Sequence, residues 1–144
     1  MKKKCLPVLL LLMFFVAPVT DAKRLAVTGN IANIRSGPGT EYEVIWQVEK
    51  YHPIKTIRKK DNWYLLRDFE NDEGWVHKSL LDEIDTVITK NKICNIRSGP
   101  GTKNKVLNTV EKGIPFKVLK RKGDWLHVQH ADGDQGWIHN SMVW

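Results

Sequence analysis

Cys94 is the residue most able to do covalent chemistry. A thiol becomes a nucleophile when a base is held beside it and donors wait for the developing oxyanion. Its neighbours, Ile93-Cys94-Asn95-Ile96, place it in an apolar strand, and no base is spaced to serve it. It is expected to be a small buried hydrophobe. The five histidines invite a metal reading. His127 and His130 are three apart, but in a strand and loop rather than on one helical face. His77 and His139 stand 62 positions apart, with no Cys or carboxylate at ligand spacing. No catalytic residue, metal or cofactor is therefore expected, and the chain reads as a non-enzyme. Recognition chemistry remains, carried by arginine, lysine, tyrosine and tryptophan.

Two of those arginines, Arg35 and Arg97, lie in the same octapeptide. Asn-Ile-Arg-Ser-Gly-Pro-Gly-Thr occupies residues 33–40 and returns at 95–102. A repeat at fixed period means one structural unit built twice. Residues 25–82 align with 87–144 without a gap, and more than a third of the positions are identical. Gly37-Pro38-Gly39-Thr40 predicts a type II turn, with Pro fixing the second position and Gly accepting positive φ at the third. The octapeptide is thus a turn that shapes the fold, or a ligand loop with Arg35 and Arg97 as anion contacts. Around it each unit carries short β-branched or alternating runs separated by turn signals. In the first unit these are 31–35, 44–48, 54–60, 63–66 and 74–77. No stretch shows helical periodicity over two turns. The pattern predicts an all-β chain of two small barrels, about five strands each.

The repeated tryptophans, Trp63/Trp125 and Trp75/Trp137, are expected at the core or its edge. Trp46 and Trp144 align with Asn108 and Asp82, so the barrel itself does not require them. Trp46 is read as an interface residue between the units or as a stacking platform. Trp144 is expected to pack back on the second unit.

The 144-residue chain has a formal charge of +7. Lys2, Lys3 and Lys4 precede an apolar run over 6–19, and small residues end at Ala22. This predicts a signal peptide over 1–22, since about 20 residues are needed to span a bilayer. The protein is then exported to the periplasm or medium, with no integral membrane span in the mature chain. Residues 23–144 keep a single cysteine, so no internal disulfide can form, and each unit must rest on apolar packing. Charge separates the units. Residues 23–84 hold 10 basic and 10 acidic groups, and 85–144 hold 10 and 5. Glu41-Tyr42-Glu43 becomes Lys103-Asn104-Lys105 after the octapeptide. The contrast reads as a solvated basic face, or as one that attracts an anionic polymer or surface such as peptidoglycan carboxylates or lipid head groups. Nucleic acid is not expected as the partner of an exported chain.

The residues "NIRSGPGT", "GDW" and "GWIHNSM" together resemble the bacterial SH3-like (SH3b) domain in tandem, across essentially all of 25–144. The resemblance implies a five-stranded, partly open barrel in each unit. It also implies a cell-wall binding role, because such domains often target peptidoglycan hydrolases. The expected organisation is a first domain over 23–82, a short linker over 83–86 and a second domain over 87–144. The expected function is non-catalytic binding in the cell envelope, to peptidoglycan peptides or else to an envelope protein, by a monomer. The expected site is the groove beside the Gly-Pro-Gly loop, with Tyr42, Trp46 and Tyr64 as candidate aromatic contacts in the first unit, Lys103 and Lys105 as charge contacts in the second, and the arginines of the turn beside them.

Overall fold

A computed structural model describes residues 22–144. The expected signal peptide therefore lies, except for Ala22, outside the described residues. The first unit contains β1 (Arg24–Val27), β2 (Ile31–Arg35), β3 (Val44–Glu49), β4 (Pro53–Lys60), β5 (Trp63–Arg67), β6 (Glu73–His77) and β7 (Leu81–Asp82). The second contains β8 (Thr86–Ile88), β9 (Ile93–Arg97), β10 (Val106–Glu111), β11 (Pro115–Lys122), β12 (Trp125–Gln129) and β13 (Gln135–His139). The strand orders are β3-β2-β6-β5-β4-β1-β7 and β10-β9-β13-β12-β11-β8, with antiparallel pairing throughout. The all-β tandem architecture is as expected. The strands beyond five per unit are β1 and β8, which precede the octapeptide strand, and the two-residue β7.

Alternation explains why each sheet curls. In β2, Ala32 and Ile34 are buried while Ile31 is exposed and Asn33 and Arg35 are half-buried. One inward face per strand must meet the others. Leu25, Ala32, Ile34, Val48, Ile54, Leu66 and Val76 come from six different strands yet form one cluster, so the sheet closes around it. Cys94, Ile96, Phe116, Leu126, Val128 and Ile138 do the same in the second unit. The eight-residue strands β4 and β11 carry the bend. Their registers skip one residue between Thr56 and Arg58 and between Val118 and Lys120, the same place in each repeat. A bulge bends and twists its strand there.

The repeated tryptophans are not in these clusters. Trp75 is buried, but alternation sets it on the opposite face from its neighbour Val76, where the Arg58 guanidinium lies 5.3 Å from its ring centre. Trp137 stacks on His127 at 5.0 Å, and Trp63 and Trp125 meet His77 and His139 edge-on. These rings cover the outside of each sheet with paired polar groups.

Trp144 belongs to both units. Its backbone pairs with Ile88 in the second. Its ring lies 4.2 Å from the Arg24 guanidinium and 5.2 Å from Lys55 Nζ, both in the first. Arg24 also donates to the carbonyls of Thr86 and Trp144, at 3.1 and 2.9 Å. Burial, the largest influence, pulls the Arg24 guanidinium below its ordinary pKa. The chain end thus joins the units, rather than packing on the second alone.

Candidate binding groove

The octapeptide is held from within. Gly39 does not take the positive φ of a type II turn. Its N–H instead reaches Gly37 O at 3.0 Å, a three-residue turn around Pro38, and Tyr42 N–H then reaches Gly39 O at 3.3 Å. Glycine is needed at position 37 because the Tyr42 ring lies where a Cβ would be. Arg35 Nη1 donates to the carbonyls of Thr40 and Tyr42, at 3.1 and 2.9 Å. Arg97 Nη1 donates to those of Thr102 and Asn104, both at 3.1 Å. In both repeats the guanidinium fixes the loop that follows the turn. Arg97→Ala is expected to lower stability by about 1 to 2 kcal/mol, the usual worth of such bonds, read as a shifted thermal midpoint.

A concave surface lies elsewhere, between β10, the β10–β11 turn and the β12–β13 loop. It has a volume of about 810 Å³. Its floor is apolar, Ile96, Ile114 and Phe116, with the exposed Leu107 at its edge. Its rim is polar and acidic: Asn108, Glu111, His130, Asp132 and Asp134. The loop presents those acids through its own bonds. Asp132 accepts the Asp134 N–H at 2.9 Å and sits 3.1 Å from His130 Nδ1. The backbone bond, more than the imidazole, holds the Asp132 carboxyl below its usual range. His130 stands edge-on to Phe116 at 5.7 Å.

The first unit has the equivalent groove, about 490 Å³, with different residues at several positions. Trp46 takes the place of Asn108, His52 that of Ile114, and Asp68 that of His130. The Trp46 side chain packs against the first core cluster and would touch a Cβ on Gly74, at 3.0 Å. Asp68 accepts the N–H groups of Glu70 and Asp72 at 2.9 and 3.0 Å. Burial outweighs those bonds and raises its pKa. The groove is also approached from the second unit. Gly113 lines it, and Lys112 Nζ lies 3.6 Å from Glu70 Oε2.

The structure thus separates the residues singled out by sequence. Trp46 lines the first groove. Tyr42, 42% exposed, lies on the Gly-Pro-Gly turn, and Tyr64 packs on the core cluster with Lys59 6.0 Å from its ring centre. Lys103 and Lys105 are exposed on the loop after the second turn and do not line the open groove. None of the residues that do line it was named as a ligand contact. Their signal was present: Glu49 and Asp72 recur as Glu111 and Asp134 at the repeat period.

Cys94 is fully buried, with Sγ 3.5 Å from Asn91 O, and burial pushes its thiol up. His77 and His139 each accept a backbone N–H, from Ser79 and Ser141, and so cap the short 3₁₀ turns Lys78–Leu80 and Asn140–Met142. Among the described residues, no three His, Cys, Asp or Glu are grouped to hold a metal ion.

Two small curled antiparallel sheets in tandem, each with a surface groove, define a class of binding domain rather than one activity. The chain belongs to the bacterial SH3 domain family, which matches residues 28–83 and 90–144. It is 25% identical over 122 residues to the "Putative N-acetylmuramoyl-L-alanine amidase YrvJ" of Bacillus subtilis, covering 77% of this chain and 23% of that protein. It is 39% identical over 61 residues to the "Probable cell wall amidase LytH" of Staphylococcus epidermidis, covering 42% of this chain and 21% of that one. With the Staphylococcus aureus protein of the same name the identity is 34% over 77 residues, 51% of this chain and 26% of that one. The chain therefore spans about a quarter or less of the length of these relatives. Among solved structures, NlpC1 from Trichomonas vaginalis shares 13% identity and a TM-score of 0.39 over 88% of this chain and 47% of its own, a likeness too low to bear on function.

Proposed function

We propose that this protein is a non-catalytic module of the cell envelope that binds peptidoglycan peptides in the open groove of its second unit. The carrying observation is the difference between the two grooves. One is 810 Å³ with an apolar floor and polar rim, the other is 490 Å³ and partly filled by Trp46. Apolar clefts with a few convergent polar groups are the usual form of a ligand site. The relatives named for cell-wall amidase activity support the choice of polymer. An exported location, in the periplasm or medium, accords with it. A binding role, not a catalytic one, is supported by the burial of Cys94 and the raised pKa of its thiol. The basic surface, with Lys103 and Lys105 exposed on it, would draw the protein to an anionic wall at a distance. The groove would then supply the specific contact.

The test is co-sedimentation of the purified protein with isolated sacculi at low and moderate salt. Asn108→Trp gives the second groove the side chain that narrows the first. It is expected to weaken binding at least tenfold and leave the thermal midpoint nearly unchanged. Wild-type protein that stays in the supernatant at both salts would rule the proposal out and favour an envelope protein as partner.

A further inference from the structure

We infer that the open groove selects a peptide carrying a primary ammonium on an aliphatic side chain, as lysine or a similar diamino acid does; this rests on reading that groove as the ligand site. The carrying observation is the contact between the two units. The first groove already meets such a group inside the molecule. Lys112, from the β10–β11 turn, sets Nζ 3.6 Å from Glu70 Oε2 and 5.8 Å from the ring centre of Phe69. The next residue, Gly113, lines that groove. An alkyl-ammonium group therefore meets a carboxylate and an apolar wall at one rim of the repeat.

The second groove repeats the acids of the receiving side, with Ala131 in place of Phe69 and the apolar contact left to its own floor. Asp132 stands where Glu70 does, Glu111 where Glu49 does, and Asp134 where Asp72 does. Among the described ion pairs, Glu111 and Asp134 have no cationic partner, and Asp132 has His130 alone. Beside them lie Ile114 and Phe116, with Leu107 at the edge of the groove. An alkyl stem laid on that floor would bring its charged head to the acids, the way long basic side chains bury the stem and keep the head polar. The three acids are exposed, so the charge contact is of the surface kind, and burial of the stem on the floor adds to it. An acylated amine has no charge, so the groove would separate peptides with a free amine from those whose amine is blocked.

A second copy of this chain could offer Lys50, the counterpart of Lys112. Its turn differs where it matters. Tyr51 stands in place of Gly113, and Lys50 Nζ is 5.2 Å from the Tyr51 ring centre. The Lys50 ammonium thus already has an aromatic partner in its own turn, which the ammonium of a free peptide lacks, so a peptide is the occupant.

The experiment is a titration of the purified protein, at low salt, with acetyl-Ala-Lys-Ala-amide and with the same peptide acetylated at Nε, followed by backbone amide chemical shifts. The free-amine peptide is expected to move the amides of Glu111 and residues 130–135 saturably, at least tenfold more tightly than the acetylated one. Glu111→Gln with Asp134→Asn is expected to remove that difference while the amide spectrum stays folded. Equal binding of both peptides, or no shift at millimolar peptide, overturns the inference. So does self-association that moves the same amides on dilution and is lost in Lys50→Gln. Sacculi give the separating arm. Wild-type binding that is unchanged when the sacculus amines are acetylated overturns the ammonium selection and leaves the wall-binding reading standing. No binding to untreated sacculi sinks that reading itself.

Discussion

Between pH 6.5 and about 4 the protein is expected to lose about 3 kcal/mol of stability through His52. His52 is 8% exposed, and its Nε2 has no hydrogen-bond partner among the described residues. Its ring lies edge-on to Phe69, 6.1 Å between centres. Burial pushes its pKa down from 6.5 to about 4. The folded state therefore stays neutral while the unfolded chain takes a proton. Stability is whole above pH 6.5, falls as pH drops below it, and levels off below about 4, where both states are protonated. Asp68, in the same groove, acts the other way. Its raised pKa lets the folded state bind a proton earlier than the unfolded one, and so offsets part of the loss at the acid end. The control is written in the repeat, since Ile114 occupies the equivalent position. Urea midpoints at pH 7.5 and 4.5 should fall steeply for wild type and much less for His52→Ile. An unchanged pH slope in His52→Ile would remove His52 as the cause.

The second large effect is expected from Gly136→Ala, a loss of about 2 kcal/mol, typical for forcing extra volume into a packed core. Strand β13 crosses β9 at Trp137, opposite Arg97, where the sheet folds over itself. A Cβ at Gly136 would run into Ile96 Cγ2, with Arg97 O at 3.1 Å. Neither neighbour can swing aside. The first is a branch at the Cβ of a core residue, and the second is backbone. Gly74 meets Ile34 and the Arg35 carbonyl in the same way, at the same crossing of the first unit. A thermal midpoint for Gly136→Ala within a degree of wild type would show that the crossing is looser than described.

The period of 62 and the alternation around it carried the architecture, because both report local backbone preference and a one-sided core. Gly74 and Gly136 could be paired by sequence, but their reason could not, since it lies in a strand crossing. Arg35 and Arg97 looked equally able to hold an anion or a loop. The choice depends on carbonyls five and seven residues on, whose direction follows from a turn that is not the type II turn their Pro and Gly suggest. The groove was the least legible. Its walls come from residues 107–116 and 130–136, brought together by the curl of the sheet. Lys103 and Lys105 drew attention by charge contrast with Glu41 and Glu43, a difference that lies on an exposed loop. The substitution that does shape a groove, Trp46 against Asn108, was visible as an asymmetry. Its meaning required knowing that the aromatic ring sits in a cleft its twin leaves open.

The most direct test of the central claim is to map backbone amide shifts of the protein on addition of solubilised peptidoglycan fragments. The account predicts saturable changes along residues 107–111 and 130–136, with residues 46–49 and 68–72 of the first unit largely still. Changes confined to the two Gly-Pro-Gly loops and to Lys103 and Lys105, or spread evenly over both units, would contradict it.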